Sequence, residues 1–500
     1  MSEGERVGRM GRNALFNAFR SVIGALVAFA TSIVIARALG PTQTGVYTLV
    51  IWVALATTLI VSEGLALTIT KSVAQHNVRT QREAIIRIVA FGIRTQLVVA
   101  AIGASALALA SGFLADAFNA PGAERLFGLA AFLVFFGALI EMFSAPILGL
   151  ERHGLLVPLK TVWVIAWLVS VTVVLIVLDA ELEALMAVLA VIWLLVTVLH
   201  VAVLSRVVTL RRTSAISAGS RRRIARTAIA LSVSSTLGLV VFKRSEVFLL
   251  GYFSVPSDVA FYSIAYAMAD ALQYILPMAL AFAIFPNITR AFAARDFEFA
   301  RRAYEGQLRL TALAIAPVAV AGALLSDPVI NILYGRAFGA AALPLAVLLF
   351  SAGVNRLGYC AFGALVGSDR ERLVVWITAG SAVANLSFGL ALIPTFGVAG
   401  AAAAEASTQL LFAAASIFVV WRAVGFGFPV AGFLRILAAN LPVLLSVGLV
   451  VRLVDSDLAK VVVGIAAVAP AYAFGLFVTR ALSPWEKRYL RQRFASLHSI

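Results

Sequence analysis

A succession of apolar runs, each close to the length of a bilayer crossing, constrains this chain more than any other feature. SVIGALVAFATSIVIA, LVVAAIGASALALASGFL, AAFLVFFGALI and VVVGIAAVAPAYAFGLFV are four of them. A helix needs roughly 20 predominantly apolar residues to cross a hydrocarbon core about 30 Å thick. Lipid offers backbone N–H and C=O groups no partner, so runs of this length cross as helices. Composition agrees: 13% of the residues are charged, against about 25% in soluble domains. The sequence predicts an all-α integral membrane protein with no soluble domain left over.

Breaks at Gly, Pro and charge divide the chain into about fourteen spans. They are expected near 13–39, 45–70, 84–113, 125–149, 156–178 and 183–205, then 227–252, 258–285, 307–333, 340–366, 371–393 and 397–421, with two more near 431–453 and 458–481. The expected domains are a six-helix bundle in 1–210, a cytoplasmic basic linker in 211–226, a second six-helix bundle in 227–425, two extra helices in 426–482 and a cytoplasmic basic tail in 483–500. Arg6, Arg9 and Arg12 before an apolar stretch, with Ala36-Arg37-Ala38 behind it, imitate a signal peptide. The stretch is longer than a cleavable apolar region and is expected to remain as the first span.

Charge tests this division independently. With both termini in the cytoplasm, inner segments hold thirty of the forty Lys and Arg residues, and outer segments keep Arg37, Arg125, Arg336, Arg452 and Lys460. That bias follows the positive-inside rule. It also accounts for the net charge of +16, which reads as topology and attraction to anionic lipid rather than nucleic-acid binding. The lone cysteine, Cys360, allows no intramolecular disulfide, and the four histidines are scattered, so neither metal nor cofactor is implied. No G-x-x-x-x-G-K-[ST] loop occurs, so the chain is not expected to hydrolyse nucleotide.

The chain also repeats itself. ALGPTQTGVYTL at 38–49 returns as LGYFSVPSDVAFYSI, placing Pro41 and Pro256, and Tyr47 and Tyr262, 215 positions apart. GLERHGLLV from Gly149 and GSDRERLVV from Gly367 lie 218 positions apart. An even number of spans separates the copies, so both enter the membrane the same way round, as parallel repeats do. Two six-helix bundles facing each other across a central cleft are the expected architecture.

Three segments, ARALGPTQTGVYTLV, SEVFLLGYFSVPSDVAFYSIAYAM and LIPTFGVAGAAAAEASTQ, resemble bacterial polysaccharide-biosynthesis (O-antigen) flippases of the multidrug, oligosaccharidyl-lipid and polysaccharide exporter superfamily. The resemblance covers essentially the whole chain. It implies a non-enzymatic transporter in the bacterial cytoplasmic (inner) membrane. Such a protein moves an undecaprenyl-diphosphate-linked oligosaccharide from inner to outer leaflet by alternating access, with polysaccharide polymerase and co-polymerase as possible partners. A lipid II-type precursor flippase and a drug exporter of the same fold are the rival readings. The family pattern usually carries Asp where this chain has Glu246.

Ionisable residues inside spans cost about 2.5–3.5 kcal/mol each at a helix centre, so they mark water-filled or paired interiors. Arg20, Lys243, Arg244 and Arg356 are the candidates for the lipid diphosphate, because cationic donors match phosphate oxygens. Snorkelling to the interface is the alternative for Arg20, and pairing with Glu246, three positions on, the alternative for Lys243. Asn17, Gln273, Tyr274 and Asn355 flank these charges as candidate sugar contacts. Glu63, Asp270 and Glu246 are candidates for ion coupling, with hydrogen bonding to a neighbouring helix as the structural alternative. Arg94 and Glu141, on neighbouring spans, are expected to form a structural ion pair. Glu405 has no assigned role. Most Trp residues are expected at interfaces, and Pro277 and Pro317 are expected to kink their helices.

Overall fold

A computed structural model of the chain describes residues 3–78, 81–208, 216–242, 245–275, 290–292 and 294–483, with side chains outside 3–23, 25, 237–242 and 272–275. Among the described residues all regular structure is helical, in sixteen α-helices. Ten helical segments are long and apolar enough to cross a membrane. Side chains such as Val98, Ile102, Leu195, Trp376 and Leu445 stand exposed on them, as lipid contact requires. The chain divides into two compact units, 1–263 and 264–500.

The first unit begins with α1 (Glu3–Val78), a single helical element interrupted at Gly40, whose φ of 71° and ψ of 177° are open to glycine. Pro41 then starts the second half, at a position where its missing N–H costs nothing. On a straight helix residues 24 and 55 would lie about 45 Å apart, yet Gly24, Val27, Leu55 and Thr58 line one cavity. The element therefore folds back at Gly40, and its two arms are the first two expected spans. There follow α2 (Arg82–Leu109), α3 (Ser111–Ala117), α4 (Glu124–Gly149), α5 (Leu156–Thr172), α6 (Leu182–Val207), α7 (Ala218–Phe242) and α8 (Ser245–Phe253). Against α1 pack α2, α4, α5 and α7, and against α4 pack α2 and α6. Ile69, Val73, Val89, Met142 and Ile147 form the core of this unit, each at 0% exposure.

At one end of the unit the two copies of the repeated phrase meet. A Cβ on Gly45 would run into the backbone carbonyl of Pro256, so glycine alone fits that contact. Asn119 Nδ2 donates to the carbonyls of Tyr252 and Ser254, each at 3.3 Å, and holds the same turn in place. The expected seventh span, near 227–252, is helical throughout its described residues, in α7 and α8; Lys243 and Arg244 lie outside the described residues. The unit boundary falls inside α9 (Pro256–Ile275).

The second unit contains α10 (Phe297–Leu324), α11 (Ser326–Leu333), α12 (Ala342–Gly367), α13 (Glu371–Val424), α14 (Val430–Ala438), α15 (Leu441–Leu453) and α16 (Asp457–Val478). Asp296 caps α10 by accepting from the Phe299 N–H at 2.9 Å, so this helix starts well before the expected 307. It runs through Pro317 as one element and breaks instead at Leu325. Pro277 lies outside the described residues.

In α13 the interruption is Gly397, with φ 53° and ψ −128°. Asn385 and Glu405 would be about 30 Å apart on a straight helix, but Asn385 Nδ2 donates to Glu405 Oε2 at 3.3 Å. This element, too, is a fold-back, and its arms match the expected spans 371–393 and 397–421. It ends at Gly425, which takes φ 83° and donates its N–H to the Val420 carbonyl. Against α12 pack α10 and α13, while α15 packs on α16 and α10.

Candidate functional site

A partly polar cavity of about 510 Å³ lies in the first unit, between α1, α4, α5 and α6. Its walls are mostly aliphatic, from residues such as Val27, Leu55, Ile140 and Val164. The polar residues are Glu141 from α4, Lys160 and Trp163 from α5, and Trp193 and His200 from α6. Helical spacing explains the grouping: Lys160, Trp163 and Trp167 recur at three and seven positions, and Trp193, Val196 and His200 do the same.

The rings of Trp163 and Trp193 meet edge to face, with centres 5.9 Å apart at 85°, and Trp167 adds a third ring 5.2 Å from Trp163. His200 is 2% exposed, and its Nδ1 lies 2.8 Å from the Val196 carbonyl. A carbonyl only accepts, so Nδ1 carries a proton and Nε2 is left for another partner. Nε2 of His200 and the indole N–H groups of Trp163 and Trp193 are buried without a hydrogen-bond partner among the described residues. The nearby hydroxyls are committed: Thr58, Ser144 and Thr161 donate to the carbonyls of Ala54, Ile140 and Val157.

Sequence reading missed this site. Lys160 counted as an inner-loop charge, His200 as one of four scattered histidines and the tryptophans as interface anchors, whereas their common spacing on α5 and α6 was the available signal. The expected Arg94–Glu141 pair is not formed among the described ion pairs. Arg94 is exposed on α2, while Glu141 lines the cavity. Adjacency of two spans fixes neither helix's rotation about its own axis, and rotation decides which faces meet. Glu63 is half-buried on α1 and Glu246, on α8, is 2% exposed.

Three features mark the second unit. Arg356 lies past the middle of α12 with its Nε buried and its Cζ 5.0 Å from the Tyr359 ring centre, a cation–π contact. Beside it Asn355 is 9% exposed, and its Oδ1 has no hydrogen-bond partner among the described residues. Farther along, Glu405 accepts from Asn385 and, through Oε1, from Gln409 Nε2 at 2.6 Å, which ties the arms of α13 together. An apolar groove of about 180 Å³ runs between α10, α12, α14 and α15, lined by residues such as Ile315, Phe350, Leu357 and Leu441. Asp270 is half-buried on α9. The side chains of Asn17, Arg20, Gln273 and Tyr274, and the whole of Lys243 and Arg244, lie outside the described residues.

A family model for polysaccharide biosynthesis proteins matches residues 34–343. The chain belongs to that family. This polysaccharide biosynthesis protein is 25% identical over 175 residues to the probable low-salt glycan biosynthesis flippase Agl15 of Haloferax volcanii, a match covering 35% of this chain and 37% of that relative. Its fold is similar to that of a lipid II flippase, MurJ, in an inward closed conformation, with a TM-score of 0.70 at 10% identity, over 92% of this chain and 99% of that one. An inward-facing multidrug resistance MATE family transporter of the MOP superfamily gives a TM-score of 0.64 at 15% identity, over 81% and 95% of the two chains. Family and fold together make this a multi-pass membrane protein of polysaccharide biosynthesis.

Proposed function

We propose that the protein flips a polyprenyl-diphosphate-linked oligosaccharide from the inner to the outer leaflet of the bacterial cytoplasmic membrane by alternating access. The observation that carries this reading is Arg356, a guanidinium deep in an apolar 26-residue helix. A cation inside a span marks a water-filled or paired interior, and its planar fork suits a diphosphate. Asn355 beside it offers a sugar or phosphate contact. Arg20, Lys243 and Arg244 complete the diphosphate set in this reading, and Asn17, Gln273 and Tyr274 the sugar contacts. The groove against α14 and α15 suits an apolar polyprenyl tail. Glu63, Asp270 and Glu246 remain the candidates for coupling to an ion gradient.

A lipid II-type precursor is the second reading, favoured by the likeness to the MurJ fold. It shares the diphosphate but not the glycan. In cells, Arg356→Ala should abolish surface polysaccharide at unchanged membrane abundance, and Arg356→Lys should retain part of it. Normal polysaccharide in the Ala variant overturns the assignment. Rescue of cells depleted of their lipid II flippase would move the substrate to the second reading.

A further inference from the structure

We infer that Tyr472, on the last helix, is the pin of a hinge in α10. It holds that helix together across Pro317, and α10 bends there when the pin is withdrawn. The inference rests on the transport reading above only for what the bend serves.

A proline inside a helix has no N–H for the carbonyl four residues back, and its ring crowds that carbonyl outward. In α10 the proline is Pro317, so the carbonyl is that of Leu313. Within a bilayer such a group finds no water and needs a donor from the protein. The donor comes from another helix: the Tyr472 hydroxyl, on α16, donates to the Leu313 carbonyl at 2.9 Å. This substitute bond explains why α10 passes through Pro317 as one element. A main-chain donor belongs to its own helix and stays with it. A side-chain donor on a neighbour leaves when the neighbour slides, because hydrogen bonds weaken steeply with distance and angle.

The neighbour is fastened along α10 on either side of the pin. One turn before Leu313, Arg309 Nη2 donates to the Ala481 carbonyl at 2.7 Å, just beyond the end of α16. Near the start of α16, a Cβ on Gly464 would stand 2.9 Å from the side chain of Leu325, where α10 ends. The contacts follow opposite orders on the two helices, so α16 runs antiparallel to α10 with Tyr472 between the fastenings.

The same stretch of α10 packs on α12. A Cβ on Gly353 would stand 3.1 Å from Ile315 and 3.4 Å from Ala319, the residues two before and two after Pro317. Thr311 Oγ1 lies 3.5 Å from Cys360 Sγ. Arg356 falls between Gly353 and Cys360 on α12. A bend at Pro317 therefore moves the surface against which the Arg356 turn is packed. The two C-terminal helices, which the internal repeat leaves out, thus control the shape of a helix inside it.

Tyr472→Phe removes the hydroxyl alone, and Pro317→Ala returns a main-chain donor to Leu313, so the two changes form a double-mutant cycle. The test follows hydrogen exchange of α10 in the full-length protein in lipid nanodiscs, for the wild type, both single variants and the double variant. Tyr472→Phe should speed exchange over residues 313–324 about fivefold, as loss of one hydrogen bond implies. In the Pro317→Ala background the same change should matter less than about twofold, since the carbonyl keeps a helical partner. In cells, Pro317→Ala should lower surface polysaccharide several-fold at unchanged membrane abundance, because the helix can no longer bend there. Unchanged exchange in Tyr472→Phe, or equal acceleration in both backgrounds, overturns the pin. Full polysaccharide in Pro317→Ala where Arg356→Ala has none overturns the use of the hinge. If Pro317→Ala does not reach the membrane, exchange in Tyr472→Phe decides alone. Normal polysaccharide in both Pro317→Ala and Arg356→Ala, with the expected exchange pattern, overturns the transport reading and leaves the pin standing.

Discussion

Glu151 and Asp369 hold the same left-handed backbone conformation, φ 58° and 57°, at matching points of two turns 218 positions apart. The hydrogen bonds around them also correspond. Glu151 N–H bonds the Leu148 carbonyl and Arg152 N–H that of Ile147, as Asp369 N–H bonds Val366 and Arg370 N–H bonds Leu365. This is a Schellman helix end, in which glycine usually takes the left-handed place. Asp179 and Gly397, at φ 47° and 53°, are a second pair with positive φ at the same offset. The turns that match in the letters thus match in backbone conformation as well.

A side chain in the left-handed region costs about 1–2 kcal/mol, and glycine returns part of that through its greater freedom when unfolded. Glu151→Gly should therefore stabilise the protein by up to about 1 kcal/mol, read as a higher melting temperature in detergent. A lower one would show that the carboxylate itself supports the turn.

Gly397 calls for the opposite change. Its ψ of −128° at positive φ suits glycine alone, so Gly397→Ala should cost about 1–3 kcal/mol and loosen the α13 fold-back. Gly380, in the same element with open space where a Cβ would stand, is the control. Gly380→Ala should leave the melting temperature unchanged or slightly higher.

Glu405 accepts from two buried amides, Asn385 at 3% exposure and Gln409 at 8%. Glu405→Ala takes an acceptor from both and should destabilise by about 1–3 kcal/mol. Glu405→Gln keeps an acceptor and should lose less. A melting experiment on the two variants checks the order, and equal melting points would remove the bracing role.

Topology can be read with reporters at described turns. A periplasm-dependent phosphatase joined after Ala180 should be active, and one joined after Ser368 inactive. Reversed activities would overturn the orientation inferred from the Lys and Arg distribution.

Most of the fold was legible because its determinants are one-dimensional. Run length sets the spans, and Gly40-Pro41 and Gly397 mark the reversals. What escaped depends on rotation and on folding back. Glu405 had no account until the bend at Gly397 brought Asn385 from twenty positions away to 3.3 Å. The Arg94–Glu141 pair was inferred from adjacency, which leaves helix rotation free. The cavity drew Trp163 and Trp193 inward because each recurs with polar residues at helical spacing, a pattern that single-residue preferences for the interface obscure.

Where Gly45 meets Pro256, bare main chain touches main chain. Side chains can yield by turning about their bonds, but peptide planes cannot, and tightly packed surfaces tend to have discrete rather than graded arrangements. This junction should behave as a clasp, either shut or released.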